Sequence, residues 1–360
     1  MTTPRRTIVL ALLLAAVGLW AVVVPAPKPA QLAARQGLPL HSARVWGYQL
    51  QGARADYIDP SIDLLVIDHA RDTSGTNLLS AAGVDAFRAR AGRAPRIVLA
   101  YMSIGEAETY RYYWSKSWSA KTSTAARPPS WLARENTDWK GNYLVRVWDP
   151  GWQKLIFDPQ PSLIDALRRR WFSAARPYLD TILDAGFDGV YLDRVDVFGE
   201  WEKTRPGAEA EMAAFVERLA AYARARKPGF LVMAQNGEEL AAHAPFRQAV
   251  DGMAKEDLLF GVAAAERAND RDETDRSIEF LQMLKADGKP VFVVEYLSDA
   301  AKRAQAVTRL GALGFLVTFA QRELNRAPEP VQPSIQPLPQ PPSRPSPPAS
   351  PKPATPRPQP

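Results

Sequence analysis

Short apolar runs recur along the middle of the chain, and the stretches between them repeat apolar residues at helical spacing. The runs are typical of strands buried on both faces, and they lie at 45–49, 64–68, 97–103, 189–193, 230–235, 251–256, 291–295 and 314–319. A further strand is predicted at 143–147, and helices at 84–91, 162–185, 208–225, 273–286 and 299–313. Strands that alternate with helices predict a parallel sheet covered on both faces. Eight such units predict an α/β fold of the (β/α)8 TIM-barrel type, with a doubly wound open sheet as the alternative.

The two ends of the chain differ from this pattern. Residues 1–30 place Arg5 and Arg6 before an apolar run at 8–24, which predicts a secretory signal peptide. That run is about 17 residues long, close to the minimum for a membrane span, so attachment through an uncleaved anchor at 8–24 is the alternative. Residues 327–360 hold 15 of the 32 prolines and no aromatic residue, which predicts a disordered tail. We therefore expect an exported protein, secreted, periplasmic or envelope-associated, with its folded domain at 31–326.

Charge and composition exclude several classes of partner. The chain carries 45 basic and 39 acidic residues, but residues 31–326 carry 39 and 38, so the excess lies mainly at the ends. This balance gives no reason to expect a nucleic-acid partner. The chain has no cysteine and only three histidines, none at a helical metal-binding spacing, and no GxGxxG turn follows the first strand. We expect neither a metal nor a cofactor, and the sequence leaves the oligomeric state open.

Polar side chains follow the predicted strands at their carboxyl ends. The carboxyl ends of barrel strands meet at one rim, so acids and amides should gather there. These residues are Asp68, Ser103, Glu106, Asp193, Asp196, Gln235, Asn236, Glu256 and Glu295. Any one of them could instead cap the following helix. Aromatic residues are predicted at the same end, including Tyr48, Tyr101 and a tryptophan-rich segment at 110–152, and such rings suit the apolar faces of sugars.

Carboxylates beside aromatic rings favour glycoside hydrolysis, which needs one carboxylic acid and one carboxylate. Asp193 and Glu256 end different predicted strands and form the expected catalytic pair. We assign Asp193 as nucleophile or base, because Arg194 and Asn236 would help to keep it ionised, and Glu256 as general acid. A retaining mechanism is expected, which requires the two carboxyl groups to lie about 5–5.5 Å apart.

Seven stretches together resemble the endo-α-1,4-polygalactosaminidase family, glycoside hydrolase family 114. They lie between about Arg44 and Phe319 and read WGYQLQG, IDLLVID, VLAYMSIGEAETYRYYW, FDGVYLDRVD, AQNGEEL, VDGMAKEDLLFG and VFVVEYLSD. The resemblance implies a barrel hydrolase of an amino-sugar polysaccharide, with its catalytic pair at Asp193 and Glu256. It also implies a cleft lined by Asp68, Gly105, Glu106, Arg111 and Asn236. A non-catalytic polysaccharide-binding barrel and a metal-assisted hydrolase or deacetylase are the alternatives.

Overall fold

The computed structural model describes residues 38–72, 76–118, 128–171 and 176–332. The predicted signal or anchor segment, 1–30, lies outside the described residues, as does the tail from 333 onwards. Within the described ranges, no helix is both long enough and apolar enough to cross a membrane.

Eleven strands and nine α-helices make up the described chain. The strands are β1 (Trp46–Gln49), β2 (Leu64–Asp68), β3 (Ile97–Ser103), β4 (Glu106–Glu108), β5 (Leu132–Glu135), β6 (Asn142–Val145), β7 (Gly189–Asp193), β8 (Leu231–Gln235), β9 (Gly252–Glu256), β10 (Val291–Glu295) and β11 (Leu316–Phe319). The helices are α1 (Ala81–Arg88), α2 (Pro150–Ile156), α3 (Leu163–Trp171), α4 (Tyr178–Ala185), α5 (Phe198–Trp201), α6 (Ala208–Arg226), α7 (Ala244–Ala249), α8 (Arg271–Ala286) and α9 (Ala300–Ala312).

Eight of the strands form one parallel sheet in the order β1-β2-β3-β7-β8-β9-β10-β11. Its first and last strands meet where the indole nitrogen of Trp46 donates a hydrogen bond to the carbonyl of Leu316 at 3.0 Å. The predicted (β/α)8 barrel is confirmed, and the alternative of an open doubly wound sheet is wrong. All eight strands of this sheet end at the predicted residue.

Strand residues alternate between the barrel interior and the outer layer of helices. The interior is filled by one cluster that includes Trp46, Tyr48, Leu99, Tyr101, Tyr191, Met233, Phe292 and Val294. The intervening residues, such as Val98, Val190 and Val293, pack outward in the larger cluster beneath the helices. Every second residue of a barrel strand therefore points towards the axis, up to the rim.

Several helices begin at a side-chain cap that accepts a hydrogen bond from the first turn. These caps are Ser80, Asp149, Asp270 and Asp299. None of them belongs to the acids and amides predicted at the rim. Helix α4 ends at Gly186, whose φ of 85° places it in the left-handed region that glycine favours.

The helix predicted over 162–185 is wrong in its extent, because the structure has two helices, α3 and α4, in that range. Pro177 precedes α4 in an extended conformation, and proline cannot occupy a helix interior without breaking the hydrogen-bond ladder. Three apolar residues of the predicted helix, Leu163, Leu167 and Trp171, are exposed.

An insertion after β3 builds a second, antiparallel sheet in the order β4-β6-β5. The sequence predicted only one of its strands, which the structure places at β6. Four tryptophans of this region, Trp114, Trp118, Trp131 and Trp152, pack ring to ring with centroids 5.0–5.2 Å apart. Trp131 and Trp152 are buried in this cluster, whereas Trp114 and Trp118 are half-buried.

The chain beyond β11 covers the outer face of β1. The N–H groups of Leu50 and Gln51 both donate to the carbonyl of Leu324 at 2.9 Å. Pro328 is buried, and a Cβ on Gly47 would lie 2.4 Å from its Cγ. The first described residues of the predicted tail therefore pack against the barrel.

We expect Gly189→Ala to destabilise the barrel by about 2 kcal/mol or more, since overpacking against backbone cannot relax easily. A Cβ at this position would lie 2.3 Å from the Leu231 carbonyl oxygen on the neighbouring strand. Gly199 in α5 has no atom within 4 Å of such a Cβ, so Gly199→Ala is the matched control and should leave stability unchanged or raise it by up to about 1 kcal/mol. Urea unfolding of both variants tests this, and equal stabilities would contradict it.

Candidate active site

Two carboxylates point into the mouth of the barrel because of their place in the strand alternation. Asp193 ends β7 two residues after Tyr191, and Glu256 ends β9 two residues after Ala254. Tyr191 and Ala254 both belong to the interior cluster. The next inward positions are therefore Asp193 and Glu256, and both side chains are partly buried at the rim.

Asp193 accepts two hydrogen bonds. The hydroxyl of Tyr101 donates to its Oδ2 at 2.6 Å, and the backbone N–H of Arg194 donates to its Oδ1 at 2.8 Å. The pKa of Asp193 is raised to about 7. Burial is the largest cause and the negative charge of Glu256 is the second, and the Tyr101 hydrogen bond lowers the pKa by less than either raises it. The Asp193 carboxyl therefore titrates near neutral pH.

Glu256 is held by neutral donors. The amide of Asn236 donates to Oε1 at 2.8 Å, and the hydroxyl of Tyr296 donates to Oε2 at 2.8 Å. The Glu256 N–H returns a hydrogen bond to Asn236 Oδ1 at 3.2 Å. The predicted support of Asp193 by Asn236 is therefore wrong, since this amide is committed to Glu256 on the neighbouring strand.

The two carboxylates lie above a common aromatic floor. Burial holds the pKa values of Tyr48 and Tyr191 well above their usual value, and the charges of both Asp193 and Glu256 add to the effect. The hydroxyl of Tyr48 lies 3.5 Å from Gln235 Oε1. The hydroxyl of Tyr191 is buried without a hydrogen-bond partner. This floor excludes water from below the pair and strengthens the repulsion between the carboxylates.

Arg194 follows Asp193 in the chain, and its side chain contacts two further predicted site residues, Glu106 and Asp196. Its Nε lies 3.0 Å from Glu106 Oε1, and its Nη1 donates to Asp196 Oδ2 at 3.3 Å. Burial raises the pKa of Asp196, and Arg194 opposes that rise. Gly105 permits this arrangement because a Cβ there would lie 2.1 Å from the Arg194 carbonyl oxygen.

Glu106 is almost fully buried and serves as an anchor for the inserted sheet. The amides of Asn136 and Asn142 donate to its two oxygens at 2.8 and 3.3 Å. Arg194 is its ion-pair partner, so the Glu106 carboxylate contacts one guanidinium and two amides. Its role is to fix Arg194 and the hairpin between β5 and β6.

Asp68 and Arg111 belong to a buried ionic cluster beside the pair. Arg111 Nη1 lies 2.9 Å from Asp68 Oδ2, and its Nε donates to Glu108 Oε2 at 2.6 Å. Burial disfavours the ionised form of Asp68, but Arg111 and His69 hold its pKa below the usual value. The Arg111 guanidinium also lies 5.8 Å from the ring centroid of Tyr101, the donor to Asp193.

Glu295 does not share the cleft with the other acids. Phe292 and Val294 of β10 face the interior, so alternation directs Glu295 outward. It is fully buried, and its Oε1 accepts a hydrogen bond from the Leu259 N–H at 2.7 Å. The prediction of a substrate-facing Glu295 is therefore at odds with its position beneath the loop after β9.

Three left-handed residues follow three consecutive barrel strands. Arg194, Asn236 and Asp257 have φ values of 59°, 58° and 51°, and each comes directly after the last residue of β7, β8 or β9. Non-glycine residues adopt this conformation at a cost, and such residues cluster at functional sites. The chain thus turns sharply after Asp193, Gln235 and Glu256.

Sequence reasoning missed two tyrosines of the site, Tyr191 and Tyr296. Counting in twos from Val294 would have selected Tyr296 as the inward residue at the end of β10, in place of Glu295. In the described ranges, no three histidine, aspartate or glutamate side chains form a group that could hold a metal ion.

Comparisons with known proteins identify the family of this chain. The profile of glycoside-hydrolase family GH114 matches residues 27–333. The chain is 32% identical over 308 residues to an uncharacterized protein of Deinococcus radiodurans, covering 85% of this chain and 87% of the relative. It is 34% identical over 275 residues to a protein of Methanocaldococcus jannaschii, covering 74% and 70%.

Two solved structures share the fold. Aspergillus fumigatus Ega3 superposes with a TM-score of 0.53 at 19% identity, covering 81% of this chain and 96% of Ega3. The glycoside hydrolase domain of Pseudomonas aeruginosa PelA gives a TM-score of 0.51 at 18% identity, covering 79% and 97%.

We expect Glu295→Gln to flatten the dependence of stability on pH. Burial raises the pKa of Glu295 to about 8, so the folded state binds its proton more tightly than the unfolded chain does. The stability that the protonated Glu295 carboxyl contributes is fully present below the pKa of glutamate in the unfolded chain, and it is lost as the pH rises through about 8. The wild type should lose on the order of 2 kcal/mol from this group between mildly acidic and alkaline pH, and the variant should not.

Thermal unfolding of both proteins across that pH range measures the difference. Asp299→Asn is a suitable control, because Asp299 caps α9 at an exposed position and its replacement keeps the cap. Parallel curves for the wild type and Glu295→Gln would contradict the expectation.

Proposed function

Because the chain belongs to glycoside-hydrolase family GH114, we propose that it is an endo-acting glycosidase that cleaves an amino-sugar polysaccharide with two carboxylates. The observation that carries this proposal is the pair Asp193 and Glu256 at the barrel mouth. Burial and the charge of Glu256 raise the pKa of Asp193 to about 7. A pair coupled in this way holds one proton near neutral pH, and this reaction requires one protonated and one ionised carboxyl group.

The mechanism divides two tasks between the pair. One carboxylic acid gives its proton to the glycosidic oxygen as the bond to the anomeric carbon breaks. The other carboxylate attacks that carbon or activates a water molecule. We keep Asp193 as nucleophile or base and Glu256 as general acid, the division predicted from the sequence. The raised pKa of Asp193 favours the reverse division, and the leaving-group experiment below distinguishes the two.

The proposed substrate carries positive charge, since deacetylated amino sugars are ammonium ions. Ega3 was solved in complex with galactosamine. Of the acids predicted at the rim, Asp193 and Glu256 have no arginine in an ion pair with them. Asp68 is balanced by Arg111, Glu106 and Asp196 share Arg194, and Glu295 faces outward. Attraction is therefore concentrated at the reacting end of the cleft, and it should weaken with salt.

Export is part of the proposal, and it rests on the sequence of residues 1–30. An exported enzyme would meet polysaccharide outside the cytoplasm, in the periplasm, the envelope or the medium.

We expect Asp193→Asn and Glu256→Gln each to reduce turnover of a partly deacetylated galactosamine polymer by at least about a thousandfold. Both substitutions keep the shape of the side chain while removing the titrating group. Chain length by size-exclusion chromatography is the measurement, and Glu295→Gln is the control that should remain active. If both pair variants keep wild-type turnover, the pair is not catalytic. A wild type that binds the polymer without shortening it would instead favour a non-catalytic binding barrel.

A substrate with a good leaving group separates the two roles. An aryl galactosaminide needs little protonation, so the general-acid variant should regain much of its activity while the nucleophile variant should not. Recovery by Asp193→Asn in place of Glu256→Gln would reverse the assignment.

We expect Tyr101→Phe to move the alkaline limb of the pH–rate profile to higher pH, by about one unit or less. The Tyr101 hydrogen bond lowers the pKa of Asp193, so its loss lets burial and Glu256 raise that pKa further. The active form holds one proton on the pair, and a higher pKa preserves that form to higher pH. Tyr110→Phe is the matched control, because the Tyr110 hydroxyl donates to Glu108. A limb that stays in place, or moves to lower pH, would contradict this coupling.

A further inference from the structure

Helix α3 presents its apolar side to solvent. The exposed fractions of Leu163, Ile164, Leu167 and Trp171 are 78%, 63%, 54% and 73%. A surface helix of a globular protein normally buries its apolar stripe against the core. Four large apolar residues exposed on one short helix form a contiguous patch of the kind that marks an interaction surface.

The opposite side of α3 is the one attached to the protein. At about 100° of rotation per residue, Leu163, Ile164, Leu167 and Trp171 fall within one arc of about 100°, and Asp165 falls across the axis from it. Asp165 accepts a hydrogen bond from Lys154 Nζ at 2.9 Å and one from the Ser162 hydroxyl at 2.7 Å. The Lys154 contact, which joins α3 to α2, therefore lies on the side of the helix away from the apolar arc.

Positive charge accompanies the exposed apolar arc. The last turn of α3 holds Arg168, Arg169 and Arg170 in succession, against the single acid Asp165. The side chain of Arg168 is exposed. Leucine, isoleucine and tryptophan on one side with arginines beside them are typical of helices that lie in the headgroup region of a bilayer. We propose that α3 docks the protein on an anionic lipid surface, with its apolar arc at the acyl boundary and its arginines at the headgroups.

Charge disfavours the other occupants of this surface. The two terminal segments outside the described residues are basic: 1–37 has four basic residues and no acid, and 333–360 has three basic residues and no acid. The proposed substrate is a cationic polymer, which these arginines would repel. An anionic bilayer matches both the charge and the apolar arc.

The chain has no cysteine, so a single introduced thiol can report on α3 alone. In the full-length protein, Leu167→Cys is labelled with a polarity-sensitive fluorophore and mixed with vesicles of phosphatidylcholine, with or without phosphatidylglycerol. We expect a several-fold rise and a blue shift of emission with the phosphatidylglycerol vesicles. Pure phosphatidylcholine should have little effect, and Arg168→Glu in the labelled protein should weaken the response.

Met283→Cys is the matched control, because Met283 is a 40%-exposed apolar residue on α8. A label there should not respond, even if the apolar run at 8–24 inserts into the same vesicles. The proposal is overturned if the label at 167 stays unchanged while the protein sediments with the vesicles. It is also overturned if both labels respond alike, or if pure phosphatidylcholine is as effective. A signal at 167 that grows with protein concentration without lipid would identify self-association instead.

Discussion

The repulsion between Asp193 and Glu256 at the mouth of an apolar barrel is the interaction around which the rim is arranged. Buried tyrosines beneath the pair lower the local dielectric, so each charge raises the cost of the other. The pKa of Asp193 accordingly rises to about 7, with burial as the largest cause and Glu256 as the second. Tyr101, Asn236 and Tyr296 donate hydrogen bonds that limit this cost. The balance leaves the pair able to exchange a proton near neutral pH.

The left-handed residues after β7, β8 and β9 explain how the pair is held in place. Each one redirects the chain directly after an inward-facing residue, and each is fastened by its own contact. Arg194 pairs with Glu106, Asn236 binds Glu256, and Asp257 forms a two-pronged ion pair with Arg322 at 2.9 and 3.0 Å. The Arg322 guanidinium in turn lies 4.6 Å from the ring centroid of Tyr296. Conformational strain at the three turns is thus compensated by contacts that also orient the site.

The sequence was sufficient to predict the barrel and the position of Asp193 and Glu256 at its rim, because buried parallel strands appear as uninterrupted apolar runs and their carboxyl ends share one rim. It was insufficient where a side chain's partner lies on another strand. Asn236 could not be assigned to Glu256 before the neighbouring strands were aligned. Glu295 was placed in the cleft because strand ends were read without their alternation. The exposure of the apolar arc of α3 could not be predicted, since periodicity shows that a helix is amphipathic but not which side meets the protein.

The hydrogen-bond and ion-pair partners of the rim acids distinguish structural acids from candidate catalytic acids. The positions of these acids at the rim do not make that distinction. Asp68, Glu106 and Glu108 each contact an arginine, which cancels their charge and turns them into structural anchors. Asp193 and Glu256 receive hydrogen bonds from tyrosine, asparagine and backbone groups. Neutral donors orient a carboxylate without supplying a counter-charge, so its negative potential stays available to a cationic sugar or to a developing oxocarbenium ion. A carboxylate bound by arginine has already lost that potential. The acids suited to catalysis are therefore those that the rim holds with neutral groups.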